Sequence, residues 1–149
     1  MQNLGEKYMY IVSACLAGVD CKYKGGNNIN EDVVKLVKEG KAILVCPEQM
    51  GGLKTPRLPS EIKGDKVFRS DGKDVTLEYK KGAEEALKVA KLVGSKKAIF
   101  KVKSPSCGCG KIYDGTFSGK LIDGDGVTTK LFKENGIEVI PSSEYKYEE

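Results

Sequence analysis

The sequence predicts an α/β fold, a small three-layer α/β/α sandwich around a mostly parallel sheet of about four strands. Three apolar runs have the length and composition of buried strands, and helical patterns separate them. Strands that alternate with helices pair in parallel, because each helix returns the chain to the edge where the previous strand began. The 149 residues are enough for a single domain, with a core over about residues 8–140, and no linker or repeat divides them.

The N-terminal part contains two predicted strands and one helix. The strands cover residues 8–15 and 41–46. Between them, Asn28 or Asn30 can cap a short helix that Gly40 closes, because asparagine accepts hydrogen bonds from the free amides at a helix start. The apolar positions of this helix lie on one face: Val33, Val34, Leu36 and Val37.

Glycines and prolines interrupt residues 47–66, so no regular element is expected there. Residues 67–69 and those after Asp71-Gly72 are predicted to form a small hairpin, because Asp-Gly is a strong turn signal. A second helix follows and ends near Gly94. Its candidate caps are Thr76 and Asp74, and its expected buried side chains are Leu77, Ala83, Leu87, Ala90 and Leu92.

The C-terminal part is predicted to complete the sandwich. A third strand leads over residues 97–107 into a glycine-rich stretch with a turn or hairpin near Tyr113. A third helix covers about residues 127–134, and a short final strand covers 137–140. The polar tail, residues 141–149, is expected to fray.

Composition narrows the class of protein. No segment approaches the roughly 18 apolar residues of a membrane span, and the N-terminus lacks the features of a signal peptide, so a cytoplasmic location is expected. The net charge of +4 is small and scattered, which argues against a dedicated nucleic-acid surface. With no histidine in the chain, any metal must rest mainly on sulfur.

Three of the predicted strands end in a cysteine: Cys15, Cys46 and Cys107. Parallel strands place their carboxyl ends along one sheet edge, where open α/β sheets bind ligands. Three sulfurs at that edge suggest a soft metal centre that leaves one coordination position free for chemistry. Cys21 and Cys109 are more simply explained as small core side chains or loop residues.

Polar residues near these cysteines can supply chemistry. Glu48 lies two residues after Cys46, where a carboxylate can accept a proton from water. Ser104 and Ser106 can hydrogen-bond sulfur or substrate, although serines in turns more often cap local backbone. The guanidinium of Arg57 can bind a carbonyl or a phosphate.

Several alternatives can be ranked from motifs. This Rossmann-like arrangement has no GxGxxG after its first strand and no Walker-type loop, so a dinucleotide or nucleoside triphosphate has no support. A thiol-redox protein is disfavoured by the missing CxxC pair. A non-catalytic zinc or iron–sulfur module stays open, and would need Cys21 or Cys109 as a fourth ligand.

A series of short motifs in fixed order resembles the thiouracil desulfidase family, over about residues 8–140. The motifs are SACL (13–16), KYKG (22–25), CPE (46–48), GGL (51–53), PR (56–57), DVT (74–76), SPSCG (104–108), YDGTFSG (113–119) and GDGVT (124–128). The resemblance implies removal of sulfur from a thiolated uracil, with water and without net redox change. The first-loop motif departs from the family's Tyr-Asp-Gly at Lys24.

The resemblance also implies a cofactor and residue roles. A four-iron four-sulfur cluster would be held by Cys15, Cys46 and Cys107, with Cys21 and Cys109 outside the ligand set. Glu48 and Ser104 match the family's proposed catalytic pair, with Glu48 activating the attacking water. Arg57 and Ser106 are expected to bind substrate.

The expected partner is a small thiolated pyrimidine. A free base is favoured over a thiolated nucleoside or tRNA, because the scattered charge and the lack of an aromatic-rich strand offer no platform for RNA. No membrane partner is expected.

Overall fold

The computed structural model describes residues 9–148, which form eight strands and four α-helices. The strands are β1 (Tyr10–Ser13), β2 (Ala42–Val45), β3 (Ser60–Lys63), β4 (Lys66–Arg69), β5 (Lys97–Phe100), β6 (Lys111–Tyr113), β7 (Leu121–Asp123) and β8 (Glu138–Pro141). The helices are α1 (Glu31–Lys38), α2 (Pro47–Met50), α3 (Thr76–Leu92) and α4 (Val127–Glu134). Two short 3₁₀ turns cover Ala14–Ala17 and Ser142–Glu144.

The central sheet has four parallel strands in the order β2-β1-β5-β8. Side chains that alternate along a strand face opposite layers. Ile11 and Phe100 pack with residues of α3 and α4, whereas Val12 and Ile99 pack with residues of α1. The predicted α/β sandwich with a mostly parallel sheet of four strands is confirmed. Two antiparallel hairpins, β3–β4 and β6–β7, lie outside this sheet.

The three cysteine-bearing strands are shorter than predicted. None reaches its cysteine: β1 ends at Ser13, β2 at Val45 and β5 at Phe100. The hydroxyl of Ser13 accepts the hydrogen bond of the Lys101 amide at 3.0 Å, so a side chain ends the ladder between β1 and β5. The predicted start of the first strand, at residue 8, lies outside the described residues.

The prediction that residues 47–66 contain no regular element was wrong. Pro47 begins α2, because the first helical position needs no amide hydrogen. β3 pairs along its whole length with β4, which was expected to pair with residues after Asp71-Gly72. The pairing of β4 with the residues after Asp71-Gly72 consists of one isolated bridge, between Phe68 and Asp74.

The helices follow the predicted pattern with two corrections. Thr76 or Asp74 was expected to cap α3, but its N-cap is Val75, which has no side-chain cap; Thr76 is the first helical residue, and Asp74 accepts from its amide at 2.9 Å. The Asn30 side chain caps α1 by accepting from the amides of Asp32 (3.0 Å) and Val33 (3.2 Å). Leu77 and Leu92 were expected to be buried in α3, but they are 79% and 84% exposed. Both lie off the helical stripe that faces the core, which consists of Tyr79, Gly82, Ala83, Ala86, Leu87 and Ala90.

The C-terminal part also matches, except for its tail. α4 covers the predicted residues, and the turn near Tyr113 belongs to the β6–β7 hairpin. The tail was expected to fray, but the ring of Tyr145 lies 6.4 Å from that of Tyr10, and Ser142 is buried. Among residues 9–148, no helix has both the length and the apolar character to cross a membrane.

Candidate active site

Three cysteines that follow parallel strands line one cavity of about 250 Å³. Cys15 lies in the 3₁₀ turn after β1, Cys46 lies between β2 and α2, and Cys107 lies in the loop after β5. Because these strands are parallel, their carboxyl ends meet at one sheet edge. The structure therefore brings together the three cysteines that the sequence singled out.

The loop that carries Cys107 is held by the beginning of α4. The Thr128 amide donates to the Ser106 carbonyl (2.8 Å), and the Thr129 hydroxyl donates to the Cys107 carbonyl (2.8 Å). Gly126 permits this approach, because a Cβ there would lie 2.4 Å from the Ser106 carbonyl oxygen. Cys107 is thus positioned by α4 as well as by β5.

The environments of the three thiols differ. Hydrogen bonding from the Cys21 thiol lowers the pKa of both Cys15 and Cys46 to about 7, against the opposing effect of burial. Asn28 adds a hydrogen bond to the Cys15 sulfur at 3.4 Å. Burial raises the pKa of the Cys107 thiol, whose sulfur lies 3.8 Å from the Ser106 hydroxyl. The thiolate is the form that binds metal, and a lowered pKa favours that form at Cys15 and Cys46.

Cys21 lies inside this group of thiols, a position that the sequence did not reveal. It is 2% exposed, lines the same cavity, and its thiol contacts those of Cys15 and Cys46. The loop before α1 brings it there by folding back on the 3₁₀ turn. Cys109 does not line this cavity, and its thiol donates to the Val139 carbonyl at 3.7 Å.

The donor set fits an iron–sulfur cluster. Among residues 9–148, Cys15, Cys46 and Cys107 do not form a group that could hold a single metal ion. A polynuclear cluster is larger than an ion, so its ligands are spaced more widely around a cavity. An all-thiolate set without histidine is the set that iron–sulfur clusters use.

The Glu48 carboxylate lines the same cavity and is held from two sides. Arg57 Nη2 donates to its Oε1 at 2.5 Å, and the Tyr79 hydroxyl donates to its Oε2 at 2.6 Å. Burial, followed by the charge of Glu48, raises the pKa of Tyr79, so the phenol keeps its proton and remains a donor. Arg57 also binds the Cys21 carbonyl at 3.1 Å, which connects the carboxylate to the group of thiols.

Two glycines allow α2 to bring Glu48 against α3. A Cβ on Gly82 would lie 1.9 Å from the Pro47 carbonyl oxygen, and a Cβ on Gly51 would lie 2.0 Å from the Glu78 carbonyl oxygen. Only glycine permits backbones to approach this closely. Neither Tyr79 nor this contact was predicted from the sequence, although a glycine in the middle of α3 was an available signal.

The remaining predicted site residues occupy different positions. Ser104 lines the cavity, and its hydroxyl oxygen accepts from the amides of Ser106 and Cys107, both at 3.0 Å. Ser106 is buried and pairs with the Thr128 hydroxyl at 2.8 Å. The Arg57 side chain is only 6% exposed and is paired with Glu48. The substrate-binding roles expected for Arg57 and Ser106 stay predictions.

A profile match and a solved structure agree on one family. A sequence profile described as 2-thiouracil desulfurase matches residues 10–144. The chain is 45% identical over 146 residues to the uncharacterized protein YbbK of Bacillus subtilis strain 168, covering 91% of this chain and 97% of that protein. A solved structure described as the [4Fe-4S]-dependent thiouracil desulfidase TudS has 42% identity and a TM-score of 0.88, and covers 92% of each chain. This chain therefore belongs to the 2-thiouracil desulfurase family.

Proposed function

We propose that this protein is an iron–sulfur-dependent desulfidase that hydrolyses the C–S bond of a thiolated uracil-type base. Water supplies the oxygen, so the thiocarbonyl becomes a carbonyl and the sulfur leaves as sulfide without net redox change. The observation that carries the proposal is a cavity lined by three cysteines that follow parallel strands and by a carboxylate that Arg57 and Tyr79 hold. The name of the similar structure TudS supports the same reaction class and the same cofactor.

The residues that would hold a four-iron four-sulfur cluster are Cys15, Cys46 and Cys107. When bound through three thiolates, such a cluster supplies a Lewis-acidic iron that can polarise the thiocarbonyl. Lys101 also lines the cavity, and a nearby ammonium favours the thiolate form of the ligands. Burial lowers the pKa of Lys101 itself.

Glu48 is the proposed general base. Arg57 and Tyr79 each bind one carboxylate oxygen and fix the orientation of the group. A carboxylate has about four acceptor sites, so positions remain to accept a proton from water. A base held in this way is already oriented for the proton transfer, which increases the reaction rate.

Ser104 is the proposed second catalytic residue. Its oxygen already accepts two backbone amides, so its own hydroxyl proton is directed elsewhere. The residue lines the same cavity as Glu48, where that proton can be donated to the bound ring or passed to a leaving group. This role is compatible with its function in holding the turn before Cys107.

The proposed substrate is a free thiolated base rather than a tRNA.

The experiment begins with anaerobic purification, followed by iron and sulfide analysis. It should give a brown protein with about four irons and four sulfides per chain. Sulfide release is then measured with 2-thiouracil, a thiolated nucleoside and a thiolated tRNA. We expect turnover with 2-thiouracil, and loss of that turnover in Glu48→Gln with the cluster retained.

Two outcomes would contradict the proposal. A colourless, zinc-loaded protein with full activity would exclude the cluster. A brown protein without sulfide release from any thiolated compound would favour the non-catalytic module, in which Cys21 serves as a fourth ligand.

A further inference from the structure

A second cavity, of about 340 Å³, adjoins the cavity that contains the cysteines. The two share Tyr23, Glu48, Lys103, Pro105 and Tyr113, so Glu48 is reached from both sides. A volume of this size lies at the lower end of the usual range for small-molecule sites, about 300–1,000 Å³. If the cysteine cavity holds the cluster, the second cavity is the space left for the substrate.

The backbone is strained at two positions along this second cavity. Lys103 (φ 68°) and Phe117 (φ 58°) are the non-glycine residues with left-handed φ in the described part of the chain, and both line it. Residues that have a Cβ adopt this backbone conformation at a cost in free energy. Strained residues of this kind cluster at ligand-binding sites. They persist only where the surrounding structure holds the backbone in that conformation.

Several contacts hold Phe117 in this conformation. The Glu61 carboxylate accepts from the amides of Gly115 (3.0 Å) and Phe117 (3.1 Å), which attaches the loop between β6 and β7 to β3. Gly115 lies so close to β3 that a Cβ would meet the Ile62 carbonyl oxygen at 2.8 Å. Phe117 is nevertheless 38% exposed, so this arrangement does not serve core packing.

Tyr23 presents a second exposed ring to the same cavity. It is 37% exposed, and its carbonyl accepts from the Arg57 amide at 2.8 Å, which fixes its backbone. Lys24 covers one face of the ring, with Nζ 5.8 Å from its centroid. In the part of the chain that the structure describes, neither Tyr23 nor Phe117 pairs with another aromatic ring.

The geometry points to the second cavity as the site that binds the heterocyclic ring of the substrate, with Phe117 and Tyr23 contacting the ring by stacking. The thiolated carbon would then meet Glu48 at the wall that the two cavities share. This inference deepens the proposed function and rests on it. A flat conjugated ring is the ligand that fits, because aromatic side chains stack on such rings largely regardless of their substituents.

The test uses Phe117→Gly, because glycine suits the left-handed backbone and removes only the ring. Tyr23→Ala removes the other ring, Phe117→Tyr is the conservative variant, and Leu121→Ala is the control. Leu121 belongs to the same hairpin and is 37% exposed, but it lines neither cavity. The measurements on the cluster-loaded protein are KM and kcat for 2-thiouracil, and the Kd for uracil by equilibrium dialysis.

We expect Phe117→Gly and Tyr23→Ala to raise KM and Kd about 5- to 100-fold, the usual effect of losing one stacked ring, with kcat changed less than threefold. Leu121→Ala should stay within about twofold of the wild type. Phe117→Tyr keeps an aromatic ring, so its KM and Kd should lie closer to the wild type than those of Phe117→Gly. Unchanged KM and Kd in Phe117→Gly, or a loss of kcat alone, would overturn the inference. If the wild type binds uracil through Phe117 but releases no sulfide, the ring site stands and the proposed function fails.

Discussion

The contact between α2 and α3 offers a sharp test of how the carboxylate is positioned. In Gly82→Ala, the new Cβ would begin 1.9 Å from the Pro47 carbonyl oxygen, whereas real Cβ atoms essentially never approach other atoms closer than 3.0 Å. The Cβ is fixed by the backbone of α3 and the carbonyl by that of α2, so no side-chain rotation can relieve the contact. α2 must therefore move relative to α3 by at least about 1 Å, taking Glu48 with it.

This shift is large compared with the contacts that orient the base. Glu48 lies 2.5 Å from Arg57 and 2.6 Å from Tyr79, and both bonds lengthen when α2 moves. A misplacement of about 1 Å can lower the rate about 10²-fold. Stability should change less, because overpacking costs about 1–3 kcal/mol while alanine gains about 1 kcal/mol of helix propensity over glycine.

The assay compares kcat for 2-thiouracil with the free energy of unfolding in urea. Gly51 directly follows α2, and a Cβ there would lie 2.0 Å from the Glu78 carbonyl oxygen in α3. Gly51→Ala should therefore have the same effect as Gly82→Ala. The control is Lys81→Ala, at an exposed position in α3. It should change neither kcat nor the free energy of unfolding. If Gly82→Ala keeps wild-type kcat and is more stable, the close approach of the helices does not position Glu48.

Three further predictions concern the cluster, the base and the substrate. Replacing a cluster ligand by serine should remove most of the iron and the brown colour, which is the result expected for Cys15→Ser, Cys46→Ser and Cys107→Ser. Cys21→Ser and the control Cys109→Ser should keep both. Iron analysis of each variant shows whether that cysteine is a ligand or only lies nearby. Glu48→Gln should lower kcat about 10²–10⁴-fold with iron content unchanged, and near wild-type turnover would make Glu48 structural. Sulfide release from 2-thiouracil should vary little between about 50 and 200 mM salt, because a neutral base displaces no counterions. A steep dependence of sulfide release on salt, together with a higher specificity constant for thiolated tRNA, would identify tRNA as the substrate.

The sequence predicted the parallel sheet and the cysteine cavity because both depend on local signals. Apolar runs of strand length, each followed by a helical pattern, leave few ways to arrange a buried sheet. The position of a cysteine just after such a run then predicts the edge at which it lies. Both inferences need only the order of elements along the chain.

The errors occurred where the partner of a segment lies far along the chain. β3 forms in a stretch rich in glycine and proline, because β4 supplies its hydrogen bonds. Leu77 and Leu92 are apolar and helical, but their burial depends on which face of α3 meets the core. Propensity alone cannot decide either point.

The sequence by itself determined the α/β class and the edge at which Cys15, Cys46 and Cys107 gather, since hydrophobic periodicity and chain order are local properties. Only the tertiary structure decided what surrounds them: the thiol of Cys21, the phenol of Tyr79 against Glu48, and the second cavity beside Phe117. These contacts join segments that loops and glycine-permitted helix packing bring together. Their geometry depends on how the whole chain packs, so no local pattern encodes them.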